Sequence, residues 1–70
     1  MQIKLAERLR EVREKKGVAQ EKLADIMGFD KTFFNHVEND RSKISIETLV
    51  SLALFFDVTT DYLLGFREDE

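Results

Sequence analysis

The chain contains no proline, and its three glycines, Gly17, Gly28 and Gly65, each close a run in which apolar residues return every three or four positions. That spacing gathers apolar side chains on one side of a helix, and glycine suits the left-handed position that ends one. The first run, "IKLAERLREVREKK", carries Leu5, Leu9 and Val12, and ends on Lys15 and Lys16, which favour the negative end of a helix dipole. The second, "QEKLADIM", carries Leu23, Ala24 and Met27. A third starts after Asp30 as N-cap, with Phe34, Val37 and Glu38 on one side. Ser45 caps the fourth, "IETLVSLALFF", whose core stripe is Ile46, Leu49, Leu52, Ala53 and Phe56. Thr59 caps a short fifth, "TDYLL". No segment alternates with period two, so the pattern predicts an all-α fold of five short helices.

Seventy residues make one small domain, near the lower end of what a single core can hold together. The expected division is a domain over 1–66 and an acidic tail over 67–70. Three acids and one base fall in that tail, "REDE", so the formal charge of -3 is not spread evenly; the body holds ten bases against eleven acids. Such a body can still present a locally positive face. Cysteine is absent, no apolar run approaches the ~20 residues that span a bilayer, and charge begins at Lys4 with no secretory pattern before it. A cytoplasmic protein without membrane contact is expected. One histidine, no cysteine and no glycine-rich phosphate loop give no basis for an enzyme, a metal centre or a cofactor site.

The second and third runs are joined by "GFD". A three-residue connection that begins with glycine is the sequence form of a helix-turn-helix, although short helices joined by glycine also occur in unrelated bundles. The wider sequence discriminates between the two. "KLAERLREVREKKGVAQEKLADIMGFDKTFFNHVEND" followed by "SIETLVSLALFFDVTTDYLL" resembles the Cro-type, phage-repressor-like helix-turn-helix family often called Xre. The resemblance covers Lys4 to Leu64 and rests on Arg8 and Arg13, the "QEKLA" opening, the glycine turn, the "VEN" closing and "SIETLVSLA". It implies a compact lambda-repressor-like fold, binding to double-stranded DNA, and a third helix that enters the major groove.

Carried onto this sequence, the resemblance gives Gln20, at the start of helix two, a phosphate contact. With Phe34 and Val37 turned inward, it places Lys31, Thr32, Asn35, His36 and Asn39 on the groove face. Lys31 suits guanine O6/N7 or a phosphate, Asn35 an adenine, Thr32 a base edge or thymine methyl, and His36 an acceptor. Asn39, Arg41, Ser42 and Lys43, after the helix, fall where the family holds the DNA backbone. Arg13 and Glu38 match positions that form an internal ion pair. Each polar residue has a plainer alternative as a solvated side chain. Two positions depart from the pattern: Ala19 stands where a Ser or Thr N-cap is usual, and Asp40 replaces a helix-closing glycine.

Phe33 raises a separate question, because adjacent helical residues point about 100° apart and one narrow stripe cannot bury both Phe33 and Phe34. Three roles are open to it: covering the edge of the core, touching a thymine methyl or deoxyribose, or meeting a protein partner. The C-terminal third also carries more apolar side chains than one core needs. Val50, Leu54, Phe55, Tyr62, Leu64 and Phe66 are expected to form a two-fold homodimer interface, or else a more fully wrapped core. The function expected is a sequence-specific regulator, a repressor acting as a dimer on a palindromic operator. Its alternative is a protein-binding module on the same scaffold, of an antitoxin or antirepressor-like kind. With no room in seventy residues for a separate sensor, regulation is expected through concentration, a partner or proteolysis.

Overall fold

Residues 3–69 are described in a computed structural model, and they form five α-helices: α1 (Leu5–Lys15), α2 (Gln20–Met27), α3 (Phe33–Glu38), α4 (Ile46–Phe56) and α5 (Thr60–Leu64). Met1, Gln2 and Glu70, which include the start of the expected domain and the end of its tail, lie outside the described residues. Among the described residues there is no strand, and no helix is long and apolar enough to cross a membrane.

Local chemistry sets the helix ends. Ser45 Oγ accepts from the Thr48 N–H and Thr59 Oγ1 from the Tyr62 N–H, each answering a first-turn donor that has no carbonyl within its own helix. Ala19 occupies the N-cap of α2 with an extended backbone and makes no side-chain bond there. The α3 boundary differs from the expected one. Phe33 rather than Lys31 begins the helix, and Thr32 sits at the N-cap. Asp30 closes a turn ahead of it: its carboxylate accepts from the Thr32 N–H at 3.1 Å and the Thr32 hydroxyl at 2.6 Å, while its carbonyl accepts from the Phe33 N–H. At the far end of the chain, Gly65 is left-handed, and a Cβ there would fall 2.8 Å from Lys4 Cβ. The close approach matters because the Lys4 N–H donates to the Leu64 carbonyl, strapping the N-terminal segment to the end of α5.

The core is built from the expected stripes: Leu9 and Val12 of α1, Leu23 and Ala24 of α2, Phe34 and Val37 of α3, Leu52, Ala53 and Phe56 of α4, with Val58, Tyr62 and Leu63 closing it. Leu5, Met27 and Leu49 lie half-buried against it. Each fully buried Leu or Phe is worth ~1.5–3 kcal/mol relative to exposure. Two assignments need correction. Ile46, expected in the α4 stripe, is 77% exposed. It is the first residue of α4, and helical side chains tilt toward the N-terminus, which carries this one past the end of the core. Tyr62, expected on a dimer surface, is only 5% exposed.

Tyr62 is covered from within the domain. The Arg8 guanidinium lies over its ring, 4.9 Å from the centroid, and is itself buried. Arg8 Nη1 donates to the Arg67 carbonyl and Nη2 to Glu68 Oε2 at 3.1 Å. The acidic tail thus lies against α1, and Arg67 pairs in turn with Asp69.

Candidate nucleic-acid interface

The α2–α3 connection is a tight glycine-closed turn. Gly28 is left-handed, with φ +82°, and the Phe29 N–H returns to the Ala24 carbonyl at 2.8 Å. This is a Schellman-type closure, in which carbonyls left over at the helix end are met by the residues after it. The turn is reinforced by aromatic packing. The Phe29 and Phe33 rings stack, with centroids 4.2 Å apart and planes 12° from parallel, and both meet Phe34 edge-on. Phe33 is half-buried against the core. Of its three possible roles, the one the geometry displays is covering the core edge; its unforeseen partner is Phe29, whose place in the turn hid it from any helical periodicity.

With Phe34, Val37 and Glu38 buried behind it, α3 turns Asn35, His36 and Asn39 outward, and Lys31 and Thr32 extend the same exposed face from the preceding turn. The structure therefore gathers all the expected groove-face residues except Phe33 on one open side. The α3 end is closed by Asp40 at φ +58°, where its N–H reaches the Val37 carbonyl and the Arg41 N–H reaches that of His36. Aspartate takes this left-handed position in place of glycine. Arg41 and Lys43 are exposed and Ser42 half-buried in the loop that follows. The Asp30 carboxyl, at the other end of the face, is held below the ordinary aspartate range by the Thr32 hydroxyl and then the Thr32 N–H, so it remains an anion that only accepts.

A polar mesh fixes α3 from behind. Arg13 Nε donates to Glu38 Oε2 at 2.7 Å and Arg13 Nη2 to Glu38 Oε1 at 3.0 Å, a two-pronged pair. Arg13 Nη1 also reaches the Val18 carbonyl at 2.7 Å, holding the α1–α2 loop. The Glu38 side chain is wholly removed from solvent and that of Arg13 is 9% exposed. Bonding to Glu38 raises the Arg13 pKa above the ordinary arginine value, so the guanidinium stays charged. Two further donors reach the same carboxylate: Arg10 Nε at 3.4 Å and Gln20 Nε2 at 3.1 Å. Gln20 Oε1 then accepts from Asn35 Nδ2 at 3.2 Å. Sequence reasoning did not find Arg10 or the inward commitment of Gln20. The signal available for Arg10 was its position one turn before Arg13 on the same helix.

In α4 and the C-terminal segment, Val50, Leu54, Phe55 and Phe66 are exposed and Leu64 is half-buried. Ile46 joins Val50 and Leu54 at four-residue intervals, giving α4 one apolar outer face. A groove of about 390 Å³ runs beside it, between the N-terminal segment and the α3–α4 loop, with Ile3, Ile44, Ile46, Leu49 and Leu64 among its lining.

A family profile described as "Helix-turn-helix domain" matches residues 6–65. The chain belongs to this helix-turn-helix family. Its Xre-like character is supported by relatives such as the uncharacterized HTH-type transcriptional regulator YobD of Bacillus subtilis, 35% identical over 90% of this chain and 56% of that protein. Among solved structures, the restriction-modification controller protein C.AhdI from Aeromonas hydrophila superposes with a TM-score of 0.76 at 34% identity, covering 87% of this chain and 92% of that one. The hypothetical transcription factor NHTF from Neisseria gives 0.77 at 35% identity, over 86% of this chain and 69% of that one. The chain spans about half the length of most curated relatives it matches. Its helix-turn-helix consists of α2, the Gly28–Thr32 turn and α3.

Proposed function

We propose that this helix-turn-helix domain is a cytoplasmic, sequence-specific DNA-binding regulator that acts as a repressor, binding a palindromic operator as a homodimer with α3 in the major groove. The observation that carries the proposal is the exposed face of Lys31, Thr32, Asn35, His36 and Asn39, fixed from behind by Phe34, Val37 and the buried Arg13–Glu38 pair. A rod anchored on one side and polar on the other is what groove insertion needs. Arg41, Ser42 and Lys43 follow it directly and serve the phosphate backbone, while Asp30 and Asp40 limit binding to unrelated sequence by repelling it.

The dimer is supported by the exposure of Ile46, Val50 and Leu54 at four-residue intervals on one helix, and by that of Phe55 and Phe66. Two-fold pairing would place two recognition helices ~34 Å apart, one DNA turn, and multiply the few phosphate contacts of each module. Selection of bound duplexes from a random pool tests the whole proposal: a recovered palindrome supports it, and weakening of binding with rising salt supports the phosphate contacts. Leu54→Arg should yield a monomer in sedimentation and lose affinity for the full palindrome. Absence of duplex binding at every salt concentration would instead favour a protein-binding module, for which the same apolar face is the docking surface.

A further inference from the structure

Charge dictates a directional chain of hydrogen bonds from the buried ion pair to the open face of α3. The Glu38 side chain is fully buried, and the Arg13 guanidinium donates to both of its oxygens, so both act as acceptors. A carboxylate has no proton to give, so the Gln20 atom that faces it at 3.1 Å must be the amide nitrogen. This turns Gln20 Oε1 the other way, toward Asn35, at 3.2 Å. A carbonyl oxygen only accepts, so Asn35 must in turn face it with its own nitrogen. Asn35 is exposed, and its amide is left with one N–H and the whole of Oδ1 for an outside partner. Its backbone carbonyl is meanwhile occupied by Asn39 Nδ2 at 2.8 Å, which ties the next turn of the helix to the same residue.

We infer that Glu38 and Gln20 are positioning residues for base readout: through them the buried ion pair fixes the amide orientation of Asn35, so that Asn35 presents one donor and one acceptor to an adenine. That pair matches the N7 acceptor and N6 amino donor of adenine in the major groove, whereas guanine offers two acceptors there. Gln20 therefore acts on specificity through Asn35, in addition to any contact of its own. The inference rests on the proposal that α3 enters DNA.

The test compares base preference, by selection from a random duplex pool, for the full chain and for Gln20→Met, Asn35→Ala and Lys31→Ala. Methionine keeps the length of Gln20 and removes both amide bonds. The expected result is an adenine at one base pair of each half-site in the unaltered protein. Gln20→Met and Asn35→Ala should both lose about tenfold of that preference at that same base pair, with the other positions kept. Lys31→Ala should alter a different position. A second readout in the free protein is the side-chain amide NMR signal of Asn35, whose solvent exchange should speed up in Gln20→Met while the melting temperature stays close to that of the unaltered chain. Sequence-selective binding in which Gln20→Met and Asn35→Ala weaken all sequences evenly, or alter different base pairs, overturns this inference and leaves DNA recognition standing. Failure of the unaltered chain to bind any duplex overturns the DNA proposal itself, and the relay loses its role with it.

Discussion

Substituting Glu38 by alanine should remove much of the stability of this domain. Seventy residues at ~0.05–0.15 kcal/mol each hold about 4–10 kcal/mol in total. Glu38 is wholly out of solvent and receives two bonds from Arg13, at 2.7 and 3.0 Å, with Arg10 and Gln20 behind them. Its loss leaves the Arg13 guanidinium nearly buried, with the Val18 carbonyl at 2.7 Å and an exposed Glu14 carboxylate at 3.9 Å. Stranding one partner of a buried pair costs ~3–5 kcal/mol, so Glu38→Ala should remove from about a third to all of the stability of the domain. Arg13→Ala should cost less, toward the lower end, because Glu38 keeps Arg10, whose half-exposed side chain can adjust, and Gln20. Replacing both, Arg13→Met with Glu38→Leu, removes two buried charges together and should cost less than either single change. Urea unfolding of the three variants, followed by circular dichroism, gives the values. A Glu38→Ala loss below ~1 kcal/mol would put the pair with ordinary surface ion pairs and refute the reasoning. A double variant that loses the sum of the singles would refute it equally.

Ala19→Ser should raise stability by about 1 kcal/mol, read as a higher melting temperature, because the extended N-cap backbone of α2 is already in place and lacks only the side-chain oxygen. A Phe29→Ala/Phe33→Ala double-mutant cycle should give a coupling of ~0.5–1.5 kcal/mol for the stacked rings; additive losses would deny the stack any energy of its own. The Asp30 carboxyl is held down in the folded state, so its contribution to the α3 turn is fully present above the unfolded aspartate value and disappears as pH falls through the lower folded one. NMR should show the Asp30 carboxyl and the Thr32 amide proton titrating together, with a midpoint below that of an unstructured aspartate; a midpoint at or above it contradicts the turn geometry.

The helices were legible because their signals are local. Gly28 and Gly65, Ser45 and Thr59 end or begin helices through bonds made within a few residues. The exposed side of α3 was legible by subtraction, once Phe34 and Val37 were assigned to the core. The rest depends on encounters between distant segments. Tyr62 looked like spare apolar surface until Arg8, held by Arg67 and Glu68 some sixty residues away in sequence, came to cover its ring. A partial signal existed, since Arg8 occupies a position between Leu5 and Leu9 in the apolar stripe of α1, where a charge must find a partner. Ile46 obeyed its period and still missed the core, because periodicity does not say where along a helix the core ends. Gln20 was assigned a phosphate contact from sequence, but its inward bonds could not be read there: they reach eighteen residues ahead and fifteen, into a helix whose orientation only the fold decides.

The ring stack of Phe29 on Phe33 separates mechanical support from chemical identity along one short helix. The rings and the buried Arg13–Glu38 pair hold that rod from behind, and Thr32 anchors its start through Asp30, while the exposed side chains of Lys31 and His36 are turned away from these supports. Those two sites are consequently free to be exchanged for other side chains at little cost to the scaffold, and a chain of this build can acquire a new target by altering its vocabulary alone. The same stiffness leaves little disorder to be frozen when a target is met, so a greater share of each new contact is retained as affinity.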